Sequence, residues 1–136
     1  VVRVVIDFIP HNEQRYPTLG DWEKKEVDGQ EVMLIRISKL GVRESEIAIA
    51  VHELIEALLC DHDEITSKEV DDWDFAFVEG QRKGEIGKDE EPGDHPKAPY
   101  HLQHVIAQRI ENELVHSVGM THRQHNLVCA KVEQVG

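Results

Sequence analysis

Residues 21–60 read DWEKKEVDGQEVMLIRISKLGVRESEIAIAVHELIEALLC, and the fold turns on them. Asp28-Gly29 is a two-residue hairpin signal, because both residue types tolerate the left-handed backbone that a tight hairpin turn requires. Trp22 to Val27 lies on one side of it and the run Val32, Leu34, Ile35 and Ile37 on the other, so two strands flank the turn. Gly41 closes the second strand. Glu44-Ser45-Glu46 then places carboxylates where a helix begins and its dipole favours negative charge. From Ser45 to about Cys60, Ile47, Ala48, Val51, Leu54, Ile55, Leu58 and Leu59 share a broad apolar face at helical spacing, the face expected to turn to the core.

Toward the N-terminus, Val1 to Ile9 is rich in Val and Ile and stops at Pro10, which predicts a third, largely buried strand. Toward the C-terminus, Thr66-Ser67-Lys68-Glu69 has the form of a capping box opening a second helix, with Val70, Trp73 and Phe77 as its buried stripe. Gln81 to Ala98 mixes glycines, prolines and charges and is expected to be a long loop with the makings of a mobile flap. Tyr100 to Val118 follows Pro99 as a second long helix, with Ile106, Ala107, Ile110, Leu114 and Val118 on one side and Gly119 as its stop. Leu127 to Val132 is expected to form a last short strand.

The length of 136 residues suits one domain and is too short for two independent cores. The expectation is a single α+β domain over residues 1–136: a short sheet, made of the hairpin and the N-terminal strand, packed by two long helices and a shorter one. A formal charge of -12, from 27 acidic against 15 basic residues, opposes a phosphate backbone and argues against nucleic acid as a direct partner. No apolar run reaches the length of a membrane span, and Val1 to Ile9, with Arg3 and Asp7, does not have the form of a signal peptide. Cys60 and Cys129 show no Cys-x-x-Cys spacing, so two reduced thiols in a soluble cytoplasmic protein are expected.

His52 and Glu56 stand four residues apart on the first long helix and so share a face, as two metal ligands from one helix must. A helical wheel puts both at the border of the apolar arc, with Glu53 further round beside the same opening. The run His52-Glu53-Leu54-Ile55-Glu56 resembles the His-Glu-x-x-His motif of the zincin metallopeptidases, with Glu56 in place of the second histidine. The resemblance spans the preceding strand, the motif helix and a later helix, about half the chain. It implies a zincin-like fold, a zinc ion, a peptide or protein substrate, and Glu53 as the base that takes a proton from the activated water. Two histidines with one glutamate form an accepted zinc set. It also implies an edge strand ahead of the motif helix, here Val32 to Ser38, able to hold an extended peptide by strand addition.

The missing histidine is sought on the later helix, which offers His101, His104, Glu111 and His116. His104 and Glu111 border its apolar arc together, whereas His101 and His116 point away. His104 is the chosen third ligand, with His101 and Glu111 as alternatives, and Glu111 is placed to orient a ligand from behind.

The remaining polar clusters read as ordinary surface. Asp71, Asp72 and Asp74 lack the spacing of a calcium loop and read as a solvated helix face. His122 and His125 read as surface residues, and His95 as an exposed loop residue. The function expected is a zinc-dependent hydrolase of the metallopeptidase kind. Two other readings stay open: a non-catalytic zincin-like zinc-binding or protein-interaction module, of the sort small phage or mobile-element proteins supply, and a metal-free acidic binding domain.

Overall fold

A computed structural model describes residues 2–135. β2 (Gly20–Val27) and β3 (Gln30–Ser38) pair antiparallel across Asp28 and Gly29, whose φ angles of 51° and 76° are the left-handed values a tight hairpin demands. β1 (Arg3–Ile9) adds to the other side of β3 in parallel, from Arg3 opposite Val32 to Ile9 opposite Ser38. The order is β1-β3-β2.

Two expectations are corrected here. β3 is the central strand, with both sides hydrogen-bonded, so Val32 to Ser38 offers no free edge for an added peptide. β1 is an edge strand, not a largely buried one, and Val4 and Ile6 remain 38% and 37% exposed. The cause is that α1 (Arg43–His62) lies over β2 and β3 and leaves β1 mostly uncovered.

Period-2 alternation divides the sheet into two unlike faces. Met33, Ile35 and Ile37 of β3, with Trp22 of β2, point to α1 and are buried. On the opposite face Arg15 bonds Asp21 at 2.7 Å and Asp71 at 3.0 Å, and Arg36 pairs with Glu23, so linked charges cover what apolar side chains do not.

α1 begins where Glu46 reaches back and accepts from the amides of Leu40 and Gly41, satisfying donors at the chain's entry to the helix. α2 (Ser67–Arg82) opens on the expected capping box: Thr66 Oγ1 accepts from the Glu69 amide and Glu69 accepts from the Thr66 amide. α3 (His101–Ser117) packs along α1, and Gly119, at φ 87°, ends it.

The tail is helical. α4 (His122–Val135) replaces the strand expected at Leu127 to Val132, because Thr121 and Gln124 form a reciprocal cap at its start that favours a helix over the local Leu and Val content. The chain is thus a small α+β protein, with a three-stranded sheet and four α-helices among the described residues. No helix among them is long and apolar enough to cross a membrane.

Both long helices are turned differently from the expectation. Of the apolar residues named on the first, Ala48 alone is buried, while Ile47 and Leu58 are 40% and 43% exposed. The buried stripe runs instead through Ser45, Ala48, Ile49, His52, Glu53, Glu56 and Cys60. On α3 the buried side holds Gln103, His104, Ala107, Glu111 and Val115, and Ile110 and Val118 face outward. The polar groups on these two helices find one another, and that pairing sets the rotation of each.

Candidate metal centre

Burying this many ionisable groups is costly unless each is partnered. Glu56 supplies the hub. Its Oε2 lies 3.2 Å from His52 Nε2 and 2.9 Å from His104 Nδ1, so α1 and α3 meet at a carboxylate between two imidazoles. One donor atom from each of these residues lies within 4.8 Å of the other two. Ligands about 2.0–2.1 Å from a tetrahedral zinc ion stand about 3.3 Å apart, so the cluster already has nearly the size a zinc ion needs.

Each of the three is also held from its far side. Trp22 Nε1 donates to Glu56 Oε1 at 3.1 Å. Asp94 Oδ1 lies 3.1 Å from His104 Nε2. Glu111 Oε1 lies 2.8 Å from His52 Nδ1, a close ion-pair contact that falls off the axis of an aligned hydrogen bond. Glu111 Oε2 is itself 2.7 Å from His125 Nε2, and His125 Nδ1 is 2.9 Å from Ser45 Oγ. Carboxylates behind imidazoles fix ring orientation and raise basicity, the arrangement found around metal-binding histidines. Gly93 presses on the back of His104: a Cβ there would stand 2.4 Å from the imidazole Cγ.

The side chains of the cluster neutralise one another. Burial opposes a charge on His52, but its contacts with Glu111 and Glu56 outweigh that and raise its pKa to about 11. Burial likewise favours protonation of Glu56, yet His104 and His52 hold it down to about 2. Glu111 is pulled to about 2 against its burial by His125 and His52. His104 is raised against its burial by Glu56. Imidazolium and carboxylate charges therefore stand where a cation with neutral imidazoles can replace them.

Glu53 turns from the same helix toward β2, where Gly20 leaves it room: a Cβ at Gly20 would stand 2.6 Å from Glu53 Cγ. Burial, reinforced by the charge of Glu56, pushes the Glu53 carboxyl well above its ordinary range. Nearby, Asp74 of α2 is raised to about 7 by burial, although the Tyr100 hydroxyl and the Tyr16 hydroxyl, the latter at 2.9 Å, both donate to it. The structure thus brings His52, Glu56 and His104 together, with Glu53 beside them and Glu111 behind His52.

Of the other histidines considered, His101 lies outside the cluster and contacts the Gly93 carbonyl through Nδ1. His116 and His95 are exposed. Two surface readings are corrected: His125 is 1% exposed and Asp74 is 5% exposed. The Thr121 cap was the available sign that His125 stands on a helix; nothing local separates Asp74 from its exposed neighbour Asp72. Trp22 and Asp94 carry no sequence signal of their own, since a hairpin and a loop bring them to the centre.

A depression of about 310 Å³ lined by Phe77, Glu91, Asp94 and His95 shares Asp94 with the centre but contains none of the three clustered residues. A larger one, between the hairpin and the start of α2, contains none of the three clustered residues. The chain matches no described protein family, no curated protein and no solved structure.

Proposed function

We propose that this chain is a zinc-dependent hydrolase of the metallopeptidase kind, with His52, Glu56 and His104 as ligands and Glu53 as the base. One observation carries the reading: three convergent donors, each braced from behind by Trp22, Asp94 or Glu111. Structural zinc sites close all four positions with protein groups, whereas three protein ligands leave one for water. Zinc held by His52, Glu56 and His104 would supply Lewis acidity toward a water or a carbonyl oxygen. Glu53 is the buried carboxyl adjoining His52 in the chain; burial and the charge of Glu56 raise its pKa, and a cation bound at the ligands would favour the ionised form that can take a proton.

The substrate is proposed to be a peptide or protein, with neither nucleic acid nor membrane as a partner. Strand addition to β3 is closed, and the outer side of β2 is tied where the Lys24 amide donates to Ser67 Oγ at 3.2 Å. Access is therefore assigned to the loop between α2 and α3, whose depression is lined by Asp94, the neighbour of His104 Nε2. Two free cysteines suit a reducing compartment, the cytoplasm.

A second reading has its own support. The ligand side chains are only 6–7% exposed, which favours zinc as a clamp between α1 and α3 in a non-catalytic binding module. Turnover of a quenched-fluorescent peptide library by zinc-loaded protein separates the two. The hydrolase reading predicts cleavage that Glu53→Gln lowers by about 100-fold or more with zinc content unchanged. Full activity in Glu53→Gln removes Glu53 from its role, and zinc binding without turnover in the wild type leaves the clamp.

A further inference from the structure

α1 carries apolar side chains on its outer side. At 3.6 residues per turn, Ile47, Val51, Ile55 and Leu58 fall along one arc facing away from the sheet and from α3. Ile47 and Leu58 are 40% and 43% exposed, and no charged residue interrupts the arc between them, since Glu53 and Glu56 lie on the buried side. Apolar side chains exposed side by side mark a surface that a partner covers.

The ends of the same arc say what covers it. Arg43 and Asp61 are separated by 18 residues, about five full turns, and so flank the arc on one edge. Glu44 and His62 have the same separation and flank the other edge. A two-fold axis relating two antiparallel copies of α1 places a residue near one end of the helix opposite the residue on the same edge at the other end. Arg43 of each copy then meets Asp61 of the other, and Glu44 meets His62. Between these charges Ile47 meets Leu58, and Val51 packs with Leu54 and Ile55 around the axis. Arg43 lies over the Phe8 ring at 4.9 Å and 3.6 Å from Glu46, yet its side chain is 66% exposed and open to a further contact. Asp61 already bonds Lys24 and keeps 35% of its side chain open.

We infer that the protein is a two-fold symmetric dimer, formed by antiparallel packing of the outer faces of α1. The occupant of the arc is a second copy because the arc is complementary to itself end for end, a property that binding a different protein does not require.

Sedimentation velocity on the full chain tests this, at loadings up to about 200 µM, where even a weak isologous interface is populated. The wild type is expected at twice the chain mass of 15.6 kDa. Ile47→Lys and Leu58→Glu are each expected to weaken the dimer by about 100-fold or more, because each buries two unpaired charges per interface. Mixing the two variants is expected to restore a dimer, since the lysine introduced into one chain then faces the glutamate introduced into the other, while the native Leu58 and Ile47 still meet at the opposite end. Circular dichroism of each variant confirms that it is folded. A wild type that stays monomeric overturns the inference, as does a dimer indifferent to both substitutions. Failure of the mixed variants to pair overturns the antiparallel register.

Discussion

His52 is the residue on which the electrostatics of the centre turns. Its pKa of about 11 keeps it an imidazolium at neutral pH, and His104 is shifted in the same direction. A metal ligand must be the neutral imidazole, so binding has to expel the proton of His52. Calorimetric zinc titrations in buffers of different ionisation enthalpy are expected to show at least one proton released per ion at pH 7, that of His52. Release near zero would mean that zinc binds elsewhere. His125 acts one contact further out, through Glu111, and His125→Ala is expected to lower zinc affinity about 10–100-fold, read by competition with a chelating dye. Asp74 gives a pH signature of a different origin. Its folded pKa of about 7 lies above the unfolded value of 3.8, so between these values the folded state holds more protons than the unfolded one. Its contribution to stability is full below the unfolded value of 3.8 and is lost as pH rises through about 7. Denaturation midpoints of Asp74→Asn, compared with wild type, should show a flatter decline across that window. An unchanged slope would show that Asp74 ionises freely.

At the scale of elements, α4 is coupled to the centre through the His125–Glu111 contact. Thr121→Ala removes one half of its cap and is expected to cost about 1 kcal/mol, a fall of about 3–5 °C in thermal midpoint. No change would mean that α4 is held by its packing alone. Elements whose determinants are local were legible in the sequence. Asp28-Gly29 announces the hairpin, and Thr66 with Glu69 announces α2, because turns and caps are decided within four residues. Thr121 and Gln124 carry the same kind of signal, yet Leu127, Val128 and Val132 also fit the alternation of a short strand. The rotation of α1 was not legible, since its outer arc is at least as apolar as the buried one. What turns it is the meeting of Glu56 with His104, 48 residues away. The wheel still associated His52, Glu56 and His104, because polar groups bordering an apolar arc on two helices are the ones able to meet. The central place of β3 depends on parallel pairing with β1, which no local pattern records.

For the whole molecule, the centre joins five parts of the chain. Glu56 and His52 belong to α1, His104 to α3, Trp22 to the hairpin, Asp94 to the long loop, and His125 reaches the group from α4. A bound ion therefore stabilises the fold as a unit, by about 4 kcal/mol when free zinc stands at about 1,000 times its dissociation constant. Chelation should lower the thermal midpoint without unfolding the protein at neutral pH, because the imidazolium and carboxylate charges replace the cation. Unfolding on chelation would contradict that self-neutralising picture. The central claim, that His52, Glu56 and His104 form a zinc site, is tested most directly by elemental analysis of protein purified without a histidine tag, for wild type and His52→Ala. Near one zinc per wild-type chain, lost in His52→Ala while circular dichroism is retained, is the predicted result. No metal in either protein, or equal zinc in both, would contradict it.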